Sequence, residues 1–382
     1  KLNNAGFALM MKVDQYDEIH FTTYYKYGDF VKSSIKKCII SSLKKKQKYI
    51  ELDSWNFLII DLEGDAEDAK NLFQCITNSI NQLLNDKKQK IYFSIAAGAI
   101  ELSKEFYSYD RVLECLNFSL NRAEGFNGNK FYLFDMQHYI RLKRKEEILK
   151  HIYWAINHDF EGFELYYQPI IDINTKSIIT LEALLRLKMK DEYIQPKEFI
   201  SLLEQTHLIL PVGRWVLKTA MESWKELQQL IPGLKMNVNM SFVQVNQNNS
   251  VQMIIDIIKE IDTTLLGIEI TETGELNSNQ YYNFCIGLEK GKRALILDDY
   301  GSGFSNVHRL TAAKPQYIKI DHSFTKHIIK SDYYRKILKN TITDVIKSLG
   351  ADYMQGCLFA RPMDKHTFIK NHKRMSENFL NN

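Results

Sequence analysis

The sequence has no C-x-x-C pair, and its five cysteines (Cys38, Cys75, Cys115, Cys285 and Cys357) are odd in number and widely spaced. Such thiols build no disulfide scaffold; they read as reduced, buried or incidental, in a cytoplasmic setting. No apolar run approaches the ~20 residues that a membrane span needs, and no signal peptide opens the chain, so no membrane segment is expected. An excess of one charge is missing too: 50 basic residues face 46 acidic ones, a net charge of +4. That bias is too small to argue for a nucleic-acid polymer or a membrane surface as partner. The histidines are scattered without metal-ligand spacing, and His207, His308 and His322 read as surface residues or supports. What remains is a chain of 382 residues, 45% hydrophobic and 25% charged. That is an ordinary globular composition, too long for one core, so two domains are expected. The chain begins at Lys1 close to its first strand, and the expectation is that it is a piece of a longer protein.

The first domain is expected over residues 1–135. Residues 7–13 read as a strand, and Val31, Ile35, Ile39 and Leu43 fall at helical spacing. Residues 49–52 and 55–62 form a hairpin with Asp53-Ser54 at the turn. A helix over 66–84, a strand over 91–97, a helix over 111–123 and a strand over 130–134 complete a β-α-β-β-α-β palm of ferredoxin-like α+β type. Asp14, Tyr27-Gly28-Asp29, the hairpin and the 123–134 ending together resemble a diguanylate cyclase (GGDEF) domain. Where that family has Gly-Gly-Asp-Glu-Phe, this chain has Asp53-Ser54-Trp55-Asn56-Phe57, and Lys12 stands where the first metal aspartate belongs. A cation there repels metal, and Trp55 fills space that glycines keep open for phosphate. The family's inhibitory Arg-x-x-Asp site would fall on 45–48, without its aspartate. The resemblance therefore implies a degenerate domain without cyclase activity, serving regulation or dimerisation, or sensing a nucleotide. Residues 136–158 are expected to be a connecting amphipathic helix, with Ile148, Ile152, Ala155 and Ile156 as its apolar stripe.

Residues 159–382 alternate strands with helices. Strands are expected at 164–171, 177–187, 236–240, 267–271, 294–299, 317–320 and 352–359. The first two pair as a hairpin and the rest follow a (β/α) barrel pattern, so the fold class is α/β, a modified TIM-type barrel. The stretch 294–306, ALILDDYGSGFSN, organises this half. Four apolar residues end in Asp298 and Asp299, two neighbouring carboxylates that repel unless a cation lies between them; the bland alternative is a solvated turn. Polar residues recur at the other strand ends: Glu182 with Arg186 on the same strand face, Asn239, Glu269 and Glu272, Lys319 and Asp321, and Gln355. One inward carboxylate has an ordinary explanation, such as an ion pair with Arg186. Carboxylates and an asparagine at four strand ends, converging on one mouth, call for an oxygen-ligated Mg²⁺ or Mn²⁺.

Those positions resemble an EAL domain, the bacterial phosphodiesterase of cyclic di-GMP, over residues 160–370. The matching pieces are Tyr167-Gln168-Pro169-Ile170, Glu182-Ala183-Leu184-Leu185-Arg186, Asn239-Met240-Ser241, Glu269-Ile270-Thr271-Glu272, the loop 298–305, Lys319-Ile320-Asp321 and Gln355-Gly356. The resemblance implies that Glu182, Asn239, Glu269 and Asp298 hold a first metal. It implies that Asp298 bridges to a second, which Asp299 also holds. Lys319 would steady the attacking water, and Gln168, Leu184, Arg186, Gln355 and Pro362 would contact cyclic di-GMP. Glu272 would brace the loop 300–305, which in the family couples activity to dimerisation, so a homodimer through the barrel is expected. The sequence departs from the family once. A strand ending in Ala-Glu-Gly-Val-Glu, whose first glutamate is a second-metal ligand, belongs between the Lys-Ile-Asp and Gln-Gly strands. This chain passes from Thr343-Asp344 to Gln355 without it, and only seven of eight barrel strands can be counted. Losing an inner strand would leave unpaired edges, so an omission near Thr343-Asp344 is preferred to a true deletion. The expected function is metal-assisted hydrolysis of cyclic di-GMP to the linear dinucleotide, with a non-cutting cyclic di-GMP receptor as the alternative.

Overall fold

The computed structural model describes residues 6–13, 25–53, 55–86, 94–102, 108–124, 130–247, 249–257, 265–271, 278–291, 293–300, 315–320, 352–357 and 360–381. The chain divides into two units, 1–143 and 144–382.

In the first unit, β1 (Phe7–Val13) is apolar at every position but Lys12 and almost entirely buried, as a strand covered on both faces must be. It is followed by α1 (Tyr25–Ser42), β2 (Lys48–Glu51), β3 (Asn56–Asp61), α2 (Ala66–Asp86), β4 (Ile95–Glu101), α3 (Tyr109–Ala123) and β5 (Lys130–Leu133). The sheet order is β2-β3-β1-β4-β5, antiparallel except for β4–β5. Alternation along β1 splits the core. Phe7, Leu9 and Met11 pack with Ile35, Ile39, Phe73 and Ile76, while Ala8 and Met10 pack with Leu116 and Leu120. The hairpin turns where expected, because the Asp53 carboxylate accepts from the Trp55 and Asn56 N–H groups at 2.8 and 2.9 Å. The strand expected at 91–97 is described from Ile95 onward; residues 91–93, like Asp14, lie outside the described residues.

The helix α4 (Met136–Asn157) contains the boundary between the units. Its second half carries the expected stripe, with Ile148, Ile152 and Ala155 fully buried in the core of the second unit.

The second unit continues with β6 (Phe163–Asp172), β7 (Ile178–Met189), β8 (Glu192–Ile194), α5 (Pro196–Gln205), α6 (Ile209–Leu230), β9 (Lys235–Asn239), α7 (Phe242–Val245) and α8 (Ser250–Ile257). Then come β10 (Leu266–Thr271), α9 (Ser278–Lys290), β11 (Ala294–Tyr300), β12 (Tyr317–Ile320), β13 (Tyr353–Met354), β14 (Met363–Asp364) and α10 (Lys365–Asn381). The sheet runs β12-β11-β10-β9-β7-β6-β13, with β14 on β6 and β8 on β7. β6 and β7 form the expected antiparallel hairpin. From β7 through β12 every pairing is parallel, the arrangement that crossover helices produce. The sheet is strongly curved. Lys319 on β12 bonds Glu182 on β7, although three strands lie between them in the sheet. The Tyr317 and Tyr353 rings, on strands at opposite ends of the order, meet edge to face at 5.6 Å. Where a strand over 352–359 was expected, β13 is two residues long, with Leu358 and Phe359 outside the described residues. The short strands β8 and β14 and the helix α10 add to what the sequence suggested. Asp321, Thr343 and Asp344 fall outside the described residues. Among them, no helix is long and apolar enough to cross a membrane.

Candidate functional site

The site is built by alternation. Side chains two residues apart on a strand share a face, and the inward face of β7 carries Glu182, Leu184 and Arg186 in succession toward the strand's C-terminal end. β6 runs the other way and sets Gln168, Tyr166 and Glu164 opposite those three. β9 contributes Asn237 and Asn239, β10 Glu269, β11 Asp298 and β12 Lys319. Gly267 lies two residues before Glu269. A Cβ there would stand 2.4 Å from Asn237 Oδ1 and 2.6 Å from Ile296 Cδ1, so only glycine leaves room for the amide beside it.

Lys319 is the hub. Its Nζ lies 2.7 Å from Glu269 Oε2, 2.9 Å from Glu182 Oε2 and 3.6 Å from Asp298 Oδ1. Glu182 also accepts from Asn239 Nδ2 at 2.7 Å and Gln355 Nε2 at 2.5 Å. Glu269 accepts from Asn237 Nδ2 at 2.9 Å. Gln355 donates as well to Gln168 Oε1 at 3.2 Å, and Gln168 Nε2 donates to the Ala360 carbonyl at 3.1 Å. Glu182, Glu269 and Asp298 each bring an oxygen within 4.8 Å of the other two.

Three carboxylates around one ammonium leave surplus negative charge in a dry place. Burial, then the Glu182 charge, pushes the Glu269 carboxyl up to about 8 against the pull of Lys319. Burial also raises Asp298, and Lys319 only partly offsets it. For Glu182 burial is again the largest influence, but the Lys319 charge and the bonds from Lys319, Gln355 and Asn239 outweigh it and hold the carboxyl below its usual range. Burial pulls the Lys319 ammonium down, and the surrounding carboxylates more than reverse that, so it stays charged. Asp299 is not one of the converging three. It sits at φ +55°, a left-handed conformation that aspartate tolerates, and its N–H donates to Asp298 Oδ1 at 2.9 Å.

A protein-family model, the EAL domain, matches residues 155–351. The chain belongs to the EAL family. It is 31% identical over 261 residues to the probable cyclic di-GMP phosphodiesterase PdeI of Escherichia coli (strain K12), covering 60% of this chain and 33% of that protein. The chain thus spans about a third of that relative's length. Among solved structures, the EAL enzyme Bd1971 in its cAMP- and cyclic-di-GMP-bound form aligns at a TM-score of 0.53 and 20% identity, covering 83% of this chain and 81% of that one. The PaMucR phosphodiesterase in complex with c-di-GMP aligns at 0.51 and 22%, covering 58% of this chain and 99% of the other. These likenesses give the second unit a TIM-like barrel fold.

In this EAL chain the described structure brings together Gln168, Glu182, Asn239, Glu269, Asp298, Lys319 and Gln355. Leu184 and Arg186 lie half-buried above Glu182 on the same strand face, and Pro362 lies just before β14, at the edge of β6. Glu272 and the loop 301–305 are outside the described residues. Asn237 is a member that the sequence reading passed over. Its signal was present, since the run Asn237-Val238-Asn239 puts both amides on one face. The donor set fits a hard divalent cation. It is all oxygen, and its negative charge exceeds what Lys319 cancels.

Proposed function

We propose that the barrel hydrolyses cyclic di-GMP to the linear dinucleotide, using Mg²⁺ or Mn²⁺, and that residues 1–135 form a degenerate cyclase-like domain of palm type that regulates it. The observation that carries this reading is the buried group of Glu182, Glu269 and Asp298 around Lys319, at strand ends of an EAL-family chain. Curated relatives named as cyclic di-GMP phosphodiesterases support the substrate. In this reading Glu182, Asn239, Glu269 and Asp298 hold one cation, and Asp298 with Asp299 holds a second. When bound there, such a metal pair would acidify a water toward hydroxide and neutralise charge on the phosphate oxygens. Lys319 would donate a hydrogen bond to the attacking water. Gln168 and Gln355, already tied to one another, meet one end of the dinucleotide, Leu184 and Pro362 give apolar contact, and Arg186 grips a phosphate. A homodimer through the barrel and a cytoplasmic setting complete the proposal.

The receptor reading stays in contention on one observation: no Ala-Glu-Gly-Val-Glu segment stands between Lys319 and Gln355. Affinity would then survive without turnover. Calorimetry with cyclic di-GMP, run beside chromatography of the product, separates the two. In the hydrolase reading, Asp299→Asn binds within about tenfold of wild type while turnover falls by orders of magnitude. In the receptor reading both proteins bind and neither cuts. Wild type that binds no cyclic di-GMP, with or without Mg²⁺ or Ca²⁺, defeats both.

A further inference from the structure

Glu164 and Arg186 are directly paired across β6 and β7 on the same face. Opposite charges in such a register normally join. Here they do not: among the described residues no ion pair links them. Glu164 Oε2 instead accepts from the Tyr193 hydroxyl at 2.8 Å. The Tyr193 oxygen accepts in turn from the Tyr166 hydroxyl at 3.1 Å, and the two rings meet edge to face at 5.8 Å. Tyr193 comes from β8, the short strand folded back along β7. Arg186 lies over the Tyr166 ring instead. Its guanidinium carbon lies 5.4 Å from the centre of the Tyr166 ring. Its one hydrogen bond among the described residues goes from Nη1 to the adjacent Leu185 carbonyl, at 2.9 Å.

We propose that the chain Tyr166–Tyr193–Glu164 is a positioning device: it occupies Glu164 and fixes the Tyr166 ring as a platform, so that Arg186 is withheld from its cross-strand carboxylate and aimed at a phosphodiester in the mouth. The device rests on the function proposed above. The physical logic is a competition. A guanidinium bound bidentately to Glu164 has its best donors occupied and its charge cancelled. One stacked on an aromatic face keeps its edge donors for an incoming anion. Tyr193 decides between the two, because its hydroxyl serves as donor to Glu164 and acceptor for Tyr166 at once. Tyr193 and Tyr166 are therefore positioning residues, acting through Arg186 without touching the reacting atoms.

The test uses Tyr193→Phe in the full chain. The ring stays and only the hydroxyl goes, at a residue 43% exposed, so the fold is kept. With ¹³C-labelled arginine, the Arg186 side-chain protons, assigned by their loss in Arg186→Lys, carry a ring-current shift from Tyr166 in wild type. In Tyr193→Phe that shift is lost as Arg186 turns to Glu164. Affinity for cyclic di-GMP falls about tenfold, the equivalent of one oriented charge-assisted bond, and the loss falls on KM rather than kcat. In an Arg186→Ala background the same substitution costs nothing further, whereas a merely structural role would add. Tyr166→Leu, which removes the platform, gives the same pattern. Unchanged Arg186 signals in Tyr193→Phe overturn the proposal whether or not nucleotide binds. Shifted signals with unchanged affinity, or equal losses in both backgrounds, overturn it too. If wild type binds no cyclic di-GMP, the function proposed above fails, while the NMR comparison alone decides how Arg186 is held.

Discussion

Glu269 has no exposed surface, and burial pushes its carboxyl up to about 8, so without a cation its proton is linked to folding. Below the ordinary carboxyl value both folded and unfolded chains hold the proton. As pH rises, the unfolded chain releases it first and wild type loses stability, until both states are ionised above about 8. Lys319, shifted upward, stays charged through this window. Glu182, shifted downward, acts at lower pH: its contribution is lost as pH falls below its unfolded value. We predict that in EDTA the stability of wild type minus that of Glu269→Gln declines between pH 5 and 8, on the order of 1 kcal/mol per pH unit at most. Urea unfolding of both proteins at several pH values measures it, and parallel curves would contradict it. At this scale the sequence was informative about identity and less so about contact. Glu182, Asn239, Glu269, Asp298 and Lys319 were readable as strand-end polar residues. That Lys319 bonds two carboxylates directly was not, because it depends on the curvature that brings β12 to face β7.

The strands that carry the site were legible because their apolar runs are short and bounded, and β11 and β12 were placed almost to the residue. The weaker readings have physical causes. β8 has only three residues, too few for any period to show. α9 does bury Tyr281, Phe284, Cys285 and Leu288 at helical spacing, but Asn283 and Gly287 dilute the stripe. Of the run 352–359, β13 holds only Tyr353 and Met354, because Gln355 and Gly356 interrupt its apolar residues. Gly267 shows what an element gives up for the site, since glycine weakens a strand yet here admits Asn237. We predict that Gly267→Ala destabilises the protein by about 1–3 kcal/mol, as overpacking of a filled interior does. It also breaks the bond from Asn237 to Glu269. A urea midpoint indistinguishable from wild type would show that the neighbours yield freely.

At the scale of the whole chain, the two units divide the work in the proposed function. In the first, Lys12 at the end of β1 is ion-paired with Glu124 at 2.8 Å, and the β2–β3 turn carries Trp55 rather than a glycine pair. Neither feature suits a metal-bound triphosphate. We predict that the chain makes no cyclic di-GMP from GTP and Mg²⁺, and product found by mass spectrometry would refute this. In the second, the parallel run from β7 to β12 was legible from strand–helix alternation, and residues 321–351, between β12 and β13, lie outside the described residues.

We propose the group around Lys319 as the seat of metal-dependent phosphodiester hydrolysis. Its most direct test is chromatography of cyclic di-GMP incubated with wild type in Mg²⁺, with wild type in EDTA, and with Glu182→Ala in Mg²⁺. The linear dinucleotide is expected in the first sample alone. Intact cyclic di-GMP in all three, or equal product from Glu182→Ala, would contradict it.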